Sequence, residues 1–261
     1  MPTRIGIAAD IRPLLARLSD AQRTQIPFAT SVALNRLMRA AKDELRAQMQ
    51  RDFDRPTPYT LNSLRTVPAT RARLEATVDF KDAYDKGTPA EKYLGPEVLG
   101  GSRGLKRFER ALQRIGVLPL GMQVVPGDAA PLDQYGNVSK GLLVRVLAYF
   151  QAFGEQGYTA NTTAAKRKRM TRATRKNPGG VAYFALQRPR NGLRAGIYQR
   201  FSFAAGSAVK PLLMFVRAAR YEPRLRLYET AQAVVRRDGR AEFERALAQA
   251  LVPRQRGARW G

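Results

Sequence analysis

The sequence predicts an α+β protein: a long N-terminal helix, a small antiparallel sheet and a C-terminal helix, with a long basic loop inserted before the sheet. Three observations carry this reading. Leu34, Met38, Ala41, Leu45, Met49 and Phe53 recur at spacings of three and four, the stripe of a helix buried along one side. Two apolar runs, 181–187 and 193–201, flank Asn191-Gly192, which is hairpin chemistry. Between helix and hairpin, 155–180 lacks any apolar period and collects basic residues, the pattern of a loop set into a folded frame.

Taken in order, the first helix runs from Pro27 to Phe53, with Arg36, Arg39, Lys42, Asp43 and Arg46 on its outer faces. Pro56 and Pro58 end it, because each restricts its predecessor and lacks an amide donor. Residues 74–80, Leu-Glu-Ala-Thr-Val-Asp-Phe, alternate apolar and polar and form a strand. Gly and Pro at 87, 89, 95, 96, 100 and 101 make the next stretch loop. A helix spans 105–115, with Gly116 positioned for the left-handed C-terminal turn, and an extended piece fills 117–126. Ser139 caps a helix from Lys140 to about Phe153. A third sheet strand covers 212–216, and a last helix runs 224–251 with Leu227, Ala231, Val234, Phe243, Leu247 and Ala250 on one side and an interruption at Gly239. The organisation read from this is 1–153 as the N-terminal core, 154–180 as a flexible basic loop and 181–261 as strands and C-terminal helix, all in one domain.

Composition narrows the chemistry. The 261 residues are 44% hydrophobic and 26% charged, with a net charge of +25, enough apolar content for a core. Cysteine and histidine are both absent, which removes thiol nucleophiles, thiolate metal sites and the commonest general base. Carboxylate pairs occur at Asp52/Asp54 and Asp79/Asp82, but they read as solvated strand and loop residues, and the glycine pairs at 100 and 179 lack phosphate-loop spacing. No catalytic residue, metal or cofactor is expected, nor a membrane span: the longest apolar runs are far short of about 20 residues, which predicts a soluble chain.

Charge is the specific signal. From Glu155 to Glu222 no acid interrupts fourteen Lys and Arg, and seven of these fall within eleven residues: Lys166, Arg167, Lys168, Arg169, Arg172, Arg175 and Lys176. With Arg188 and Arg190 of the hairpin they form the candidate DNA-binding set. Mobile cations of this kind neutralise phosphates without reading sequence. A solvated flank without a ligand is the competing reading. Tyr158, Tyr183, Phe184, Tyr198 and Phe201 either stack on exposed bases or pack the hairpin.

Several segments carry a family resemblance: Ala33-Leu-Asn-Arg36 within the long helix, Phe53-Asp-Arg-Pro-Thr-Pro58, Tyr93-Leu-Gly-Pro96, Gly100-Gly-Ser-Arg103, and Tyr221-Glu-Pro-Arg224 leading into the last helix. Over about a third of its length the chain resembles tailed-phage neck and tail proteins, the minor tail protein Z family of lambda-like phages in particular. That resemblance implies a structural virion protein that completes the tail or joins it to the head. It implies a homo-oligomeric ring, such as a hexamer, between portal or adaptor and tail tube, assembled in the host cytoplasm around a channel for genomic DNA. The alternative is a stand-alone nucleic-acid-binding protein using the same basic segment and the hairpin arginines Arg188, Arg190, Arg194 and Arg200, although no helix-turn-helix spacing is present.

Overall fold

The computed structural model describes residues 5–11, 20–81, 88–154, 160–172, 180–203, 206–218 and 220–251. The chain folds as two compact units, one made of 1–101 with 221–261 and the other of 102–220. These boundaries differ from the divisions at 153 and 180 read in the sequence, and two cores replace the expected one. The reason is that the C-terminal helix completes the core begun by the first helix, leaving 102–220 as a separate body.

In the first unit, α1 (Asp20–Asp52) packs against α7 (Leu227–Leu251). The two run antiparallel, since Arg36 reaches Gln249 and Glu242 while Gln48 meets Thr230. Toward one end of this contact the packed residues are small, Ala29 and Ala33 against Ala246, each at most 4% exposed. Farther along, Leu37, Met38, Ala41, Leu45 and Met49 bury against Leu225, Leu227, Ala231 and Val234 and against a three-stranded antiparallel sheet. That sheet has the order β1 (Ile5–Ala8), β3 (Glu75–Phe80), β2 (Leu64–Val67). Asn35 fixes the chain after β2 by accepting from the Ala69 amide at 2.7 Å and donating to its carbonyl at 3.0 Å.

The long helix begins before Pro27, which lies inside it; the loss of one amide donor is outweighed by the buried positions on either side, Ile26 and Ala29. A short helix α2 (Pro58–Leu61), capped by the Thr57 hydroxyl, and strands β1 and β2 were not foreseen. Nor was α3 (Ala90–Leu99), which fills a stretch expected to be loop and tolerates Gly95 and Pro96 because Ala90, Leu94 and Val98 line one buried face. Glu97 in α3 holds the approach to α7. Its carbonyl accepts from the amides of Arg224 and Leu225, and its carboxylate takes two bonds from the Arg224 guanidinium at 2.9 and 3.0 Å. Helix α7 passes through Gly239 without a break.

In the second unit a four-stranded antiparallel sheet has the order β5 (Met122–Pro126), β8 (Gly206–Arg217), β7 (Gly196–Phe203), β6 (Ala182–Leu186). Strands β6 and β7 are joined as expected: Asn191 and Gly192 both take positive φ and Arg190 and Leu193 exchange backbone bonds, a tight primed turn. Helices α4 (Arg107–Arg114) and α5 (Lys140–Tyr149, capped by Ser139) bury Leu112, Leu142 and Val146 against Tyr183, Ile197, Leu213 and Phe215. Gly116 has φ 72°, the left-handed turn expected after α4. The two-residue strands β4 (Gly101–Ser102) and β9 (Arg220–Tyr221) mark the two points where the chain passes between units.

The start of α4 is organised by a carboxylate with no exposure. Glu109 accepts from both terminal nitrogens of Arg103 at 2.6 and 2.8 Å, from the Lys106 amide at 2.7 Å and from the Val124 amide of edge strand β5 at 2.8 Å. Burial alone would raise its pKa, but the Arg103 guanidinium and the two backbone amides outweigh that and hold the carboxyl below its ordinary value. A depressed folded value stabilises fully above the unfolded pKa of about 4.3, and the stabilisation is lost as pH falls through the folded value. Glu109→Gln is therefore expected to cost about 3 kcal/mol at neutral pH, lowering the melting temperature, and to flatten the loss of stability below about pH 4; an unchanged acid limb would refute this. In the first unit, Ala29→Leu should cost about 1–3 kcal/mol by overpacking, measured by denaturant unfolding.

Candidate nucleic-acid interface

The basic segment is partly helical. Expected as loop, it contains α6 (Ala164–Met170), started by the Thr163 hydroxyl accepting from the Lys166 amide. Both flanks are tied to the unit. Before it, the Thr162 amide donates to Ala148 and Asn161 brackets the backbone of Phe153. After it, the Val181 amide donates to Met170 at 2.7 Å. Gly180, at φ 63°, passes so close to Thr171 that an added Cβ would lie 2.3 Å from its carbonyl oxygen. Met170 packs on the core and the Arg167 guanidinium sits 6.0 Å from the Tyr149 ring, whereas Lys166, Lys168, Arg169 and Arg172 are exposed. Arg175 and Lys176 lie outside the described residues, as does Tyr158.

Strand register divides the candidate set in two. Ala182, which follows α6 in the chain, pairs with Arg200, and Gln199 pairs with Lys210. Exposed Arg200 and Lys210 thus join the α6 cations at one end of the sheet. Arg188 and Arg190 follow the other end of β6, where Leu186 pairs with Gly196 and β7 and β8 continue the row to Met214. Arg217, three residues beyond Met214 and opposite Met122, belongs to that second end. Four residue steps of β6, about 13 Å, separate the two ends. Sequence reasoning missed Lys210 and Arg217, which only the register places beside the others.

Uncompensated charge is what the second unit presents. It holds 21 Lys and Arg against four acids, Glu109, Asp128, Asp133 and Glu155, while the first unit holds 25 against 17. In the first unit arginines are tied to carboxylates, as in Arg65–Asp79, Arg224–Glu97, Arg237–Glu44 and Arg240–Glu244. In the second, the Glu109 carboxylate is consumed internally by Arg103. Asp133 accepts from the amides of Tyr135 and Asn137 within its own turn.

Among the described residues, Tyr183, Phe184, Tyr198 and Phe201 near the basic segment are occupied. Tyr183 faces the helices and packs edge-on against Tyr149 at 5.1 Å. Phe184, on the opposite face, stacks with Tyr198 at 5.4 Å and lies under the Arg200 guanidinium at 5.1 Å, and Phe201 takes the Lys210 ammonium at 4.9 Å. These contacts favour packing over base stacking. Among the described residues no group of three acids is placed to hold a metal ion, and no helix is long and apolar enough to cross a membrane.

No protein-family model matches the chain, and no curated protein or solved structure is significantly similar to it. The exposure of the α6 cations predicts that Lys166→Ser, Lys168→Ser and Arg169→Ser together change stability by less than about 0.5 kcal/mol. Adding Arg167→Ser should cost a further amount of about 0.5–1 kcal/mol by removing its contact with Tyr149, both read from denaturant unfolding.

Proposed function

We propose that this chain is a non-enzymatic structural protein that contacts packaged or passing DNA through its 102–220 unit, and that its setting is the tail or neck of a tailed-phage particle. The observation that carries the DNA contact is the segregation of charge: 21 cations and four acids on one compact unit, two of those acids engaged internally. Charge left uncompensated on one body costs self-repulsion, and a polyanion relieves it. The contact set is Lys166, Lys168, Arg169 and Arg172 with Arg200 and Lys210. Contacts from exposed flexible side chains to phosphates leave the duplex able to slide, as a channel lining requires. The virion setting, the ring and the role in tail completion rest on the resemblance of the first helix exit, the 93–103 segment and the start of the last helix to the minor tail protein Z family.

Binding of a labelled duplex, followed by anisotropy across a salt series, tests the contact. Affinity should be independent of sequence and fall steeply with salt. Substituting Lys166, Lys168 and Arg169 by Ser should lower the slope of log K against log salt by about two to three; an unchanged slope removes α6 from the interface. Presence of the chain in purified particles, or sedimentation as a closed ring, tests the setting.

A further inference from the structure

We infer that the hairpin end of the second unit is a docking cleft for an acidic peptide segment with apolar neighbours, supplied by a partner protein. It is a different surface from the α6 cations and does not depend on DNA binding. The cleft, about 580 Å³, opens between the start of β5, the end of β8 and the chain leaving β6. That volume suits a few side chains. Its walls are of two kinds. Pro119, Leu120, Met122 and Ala218 give an apolar side, and Leu120 is 86% exposed on a turn that Gly121 makes possible with φ 72°. Arg188 and Arg217 give a cationic side, and among the described residues no carboxylate lines the cleft. The frame is fixed: Gln187 donates its amide to the Gly116 carbonyl, and the Ala218 amide donates to Gly121.

The chemistry selects the occupant. Two guanidiniums facing one concave space match a carboxylate by paired N–H bonds. A protruding leucine beside them is matched by an apolar side chain, which a peptide supplies next to its carboxylate and a phosphodiester backbone does not. An apolar anchor within a charged rim is the anatomy of a protein interface.

Fluorescence anisotropy of the full chain with a fluorescein-labelled hexapeptide, Gly-Asp-Leu-Glu-Leu-Phe, tests this at low salt. Saturable binding is expected, lost when Asn and Gln replace the acids. Arg188→Ser with Arg217→Ser should weaken it at least about tenfold and Leu120→Ser about fivefold, whereas Lys168→Ser with Arg169→Ser should leave it unchanged. Unaltered melting curves exclude unfolding as the cause. Absence of saturable binding, equal affinity in the double arginine variant, or indifference to Leu120→Ser would each overturn the inference. So would competition by oligothymidylate that depends on Arg188 and Arg217 but not on Leu120, since the occupant would then be nucleic acid.

Discussion

A buried carboxylate anchors the cationic unit. Glu109 gathers the Arg103 side chain, the first amide before α4 and the amide of edge strand β5 into one hydrogen-bonded knot. Without it the Arg103 guanidinium and the amides of Lys106 and Val124 would each lose a hydrogen-bond partner. The knot also resolves a problem of charge. A guanidinium lowered into the unit's interior adds to the net repulsion unless its counter-charge goes with it, and here the pair is matched in both distance and geometry.

The two units solve the placement of arginine in opposite ways. In the first, arginines lie along α1 and α7 beside acids of the facing helix, so that the long antiparallel contact is edged by pairs such as Arg237–Glu44. Exposed pairs of this kind add little energy individually, but they keep the helical surface nearly neutral. In the second unit, arginines and lysines sit at strand ends and on α6, with aromatic rings as neighbours in place of carboxylates. A cation over a ring keeps its full charge, so the aromatic contacts orient these side chains without consuming what a polyanion would meet.

Legibility followed the physics of each element. The stripe from Leu34 to Phe53, the Ser139 cap and the Asn191-Gly192 turn are local signals, and each element appeared where they pointed. Strands β1 and β2 have four residues apiece and acquire their identity from pairing with β3. Helix α3 contradicts its own Gly95 and Pro96 because burial of Leu94 and Val98 outweighs propensity. Helix α6 has no buried side chain, hence no stripe to detect, although Thr163 followed by two alanines was a cap-and-start signal that could have been read. The candidate interface was legible as composition and illegible as geometry. Nothing in the spacing of Arg188 from Lys166, or of Arg217 from Arg188, states which end of a sheet each occupies; strand register does.

The discontinuity of the first unit has a consequence for biosynthesis. Leu225, Leu227, Ala231 and Val234, which close its core over α1, lie beyond residue 220, far along the chain from α1 itself. The 102–220 body is contiguous and is translated in full before them. The inserted body can therefore acquire its structure while α1 still awaits its helical partner, reversing the usual amino-to-carboxyl order of maturation. Through that interval the apolar stripe of α1 is left uncovered by α7, and nascent chains are then most vulnerable to clumping.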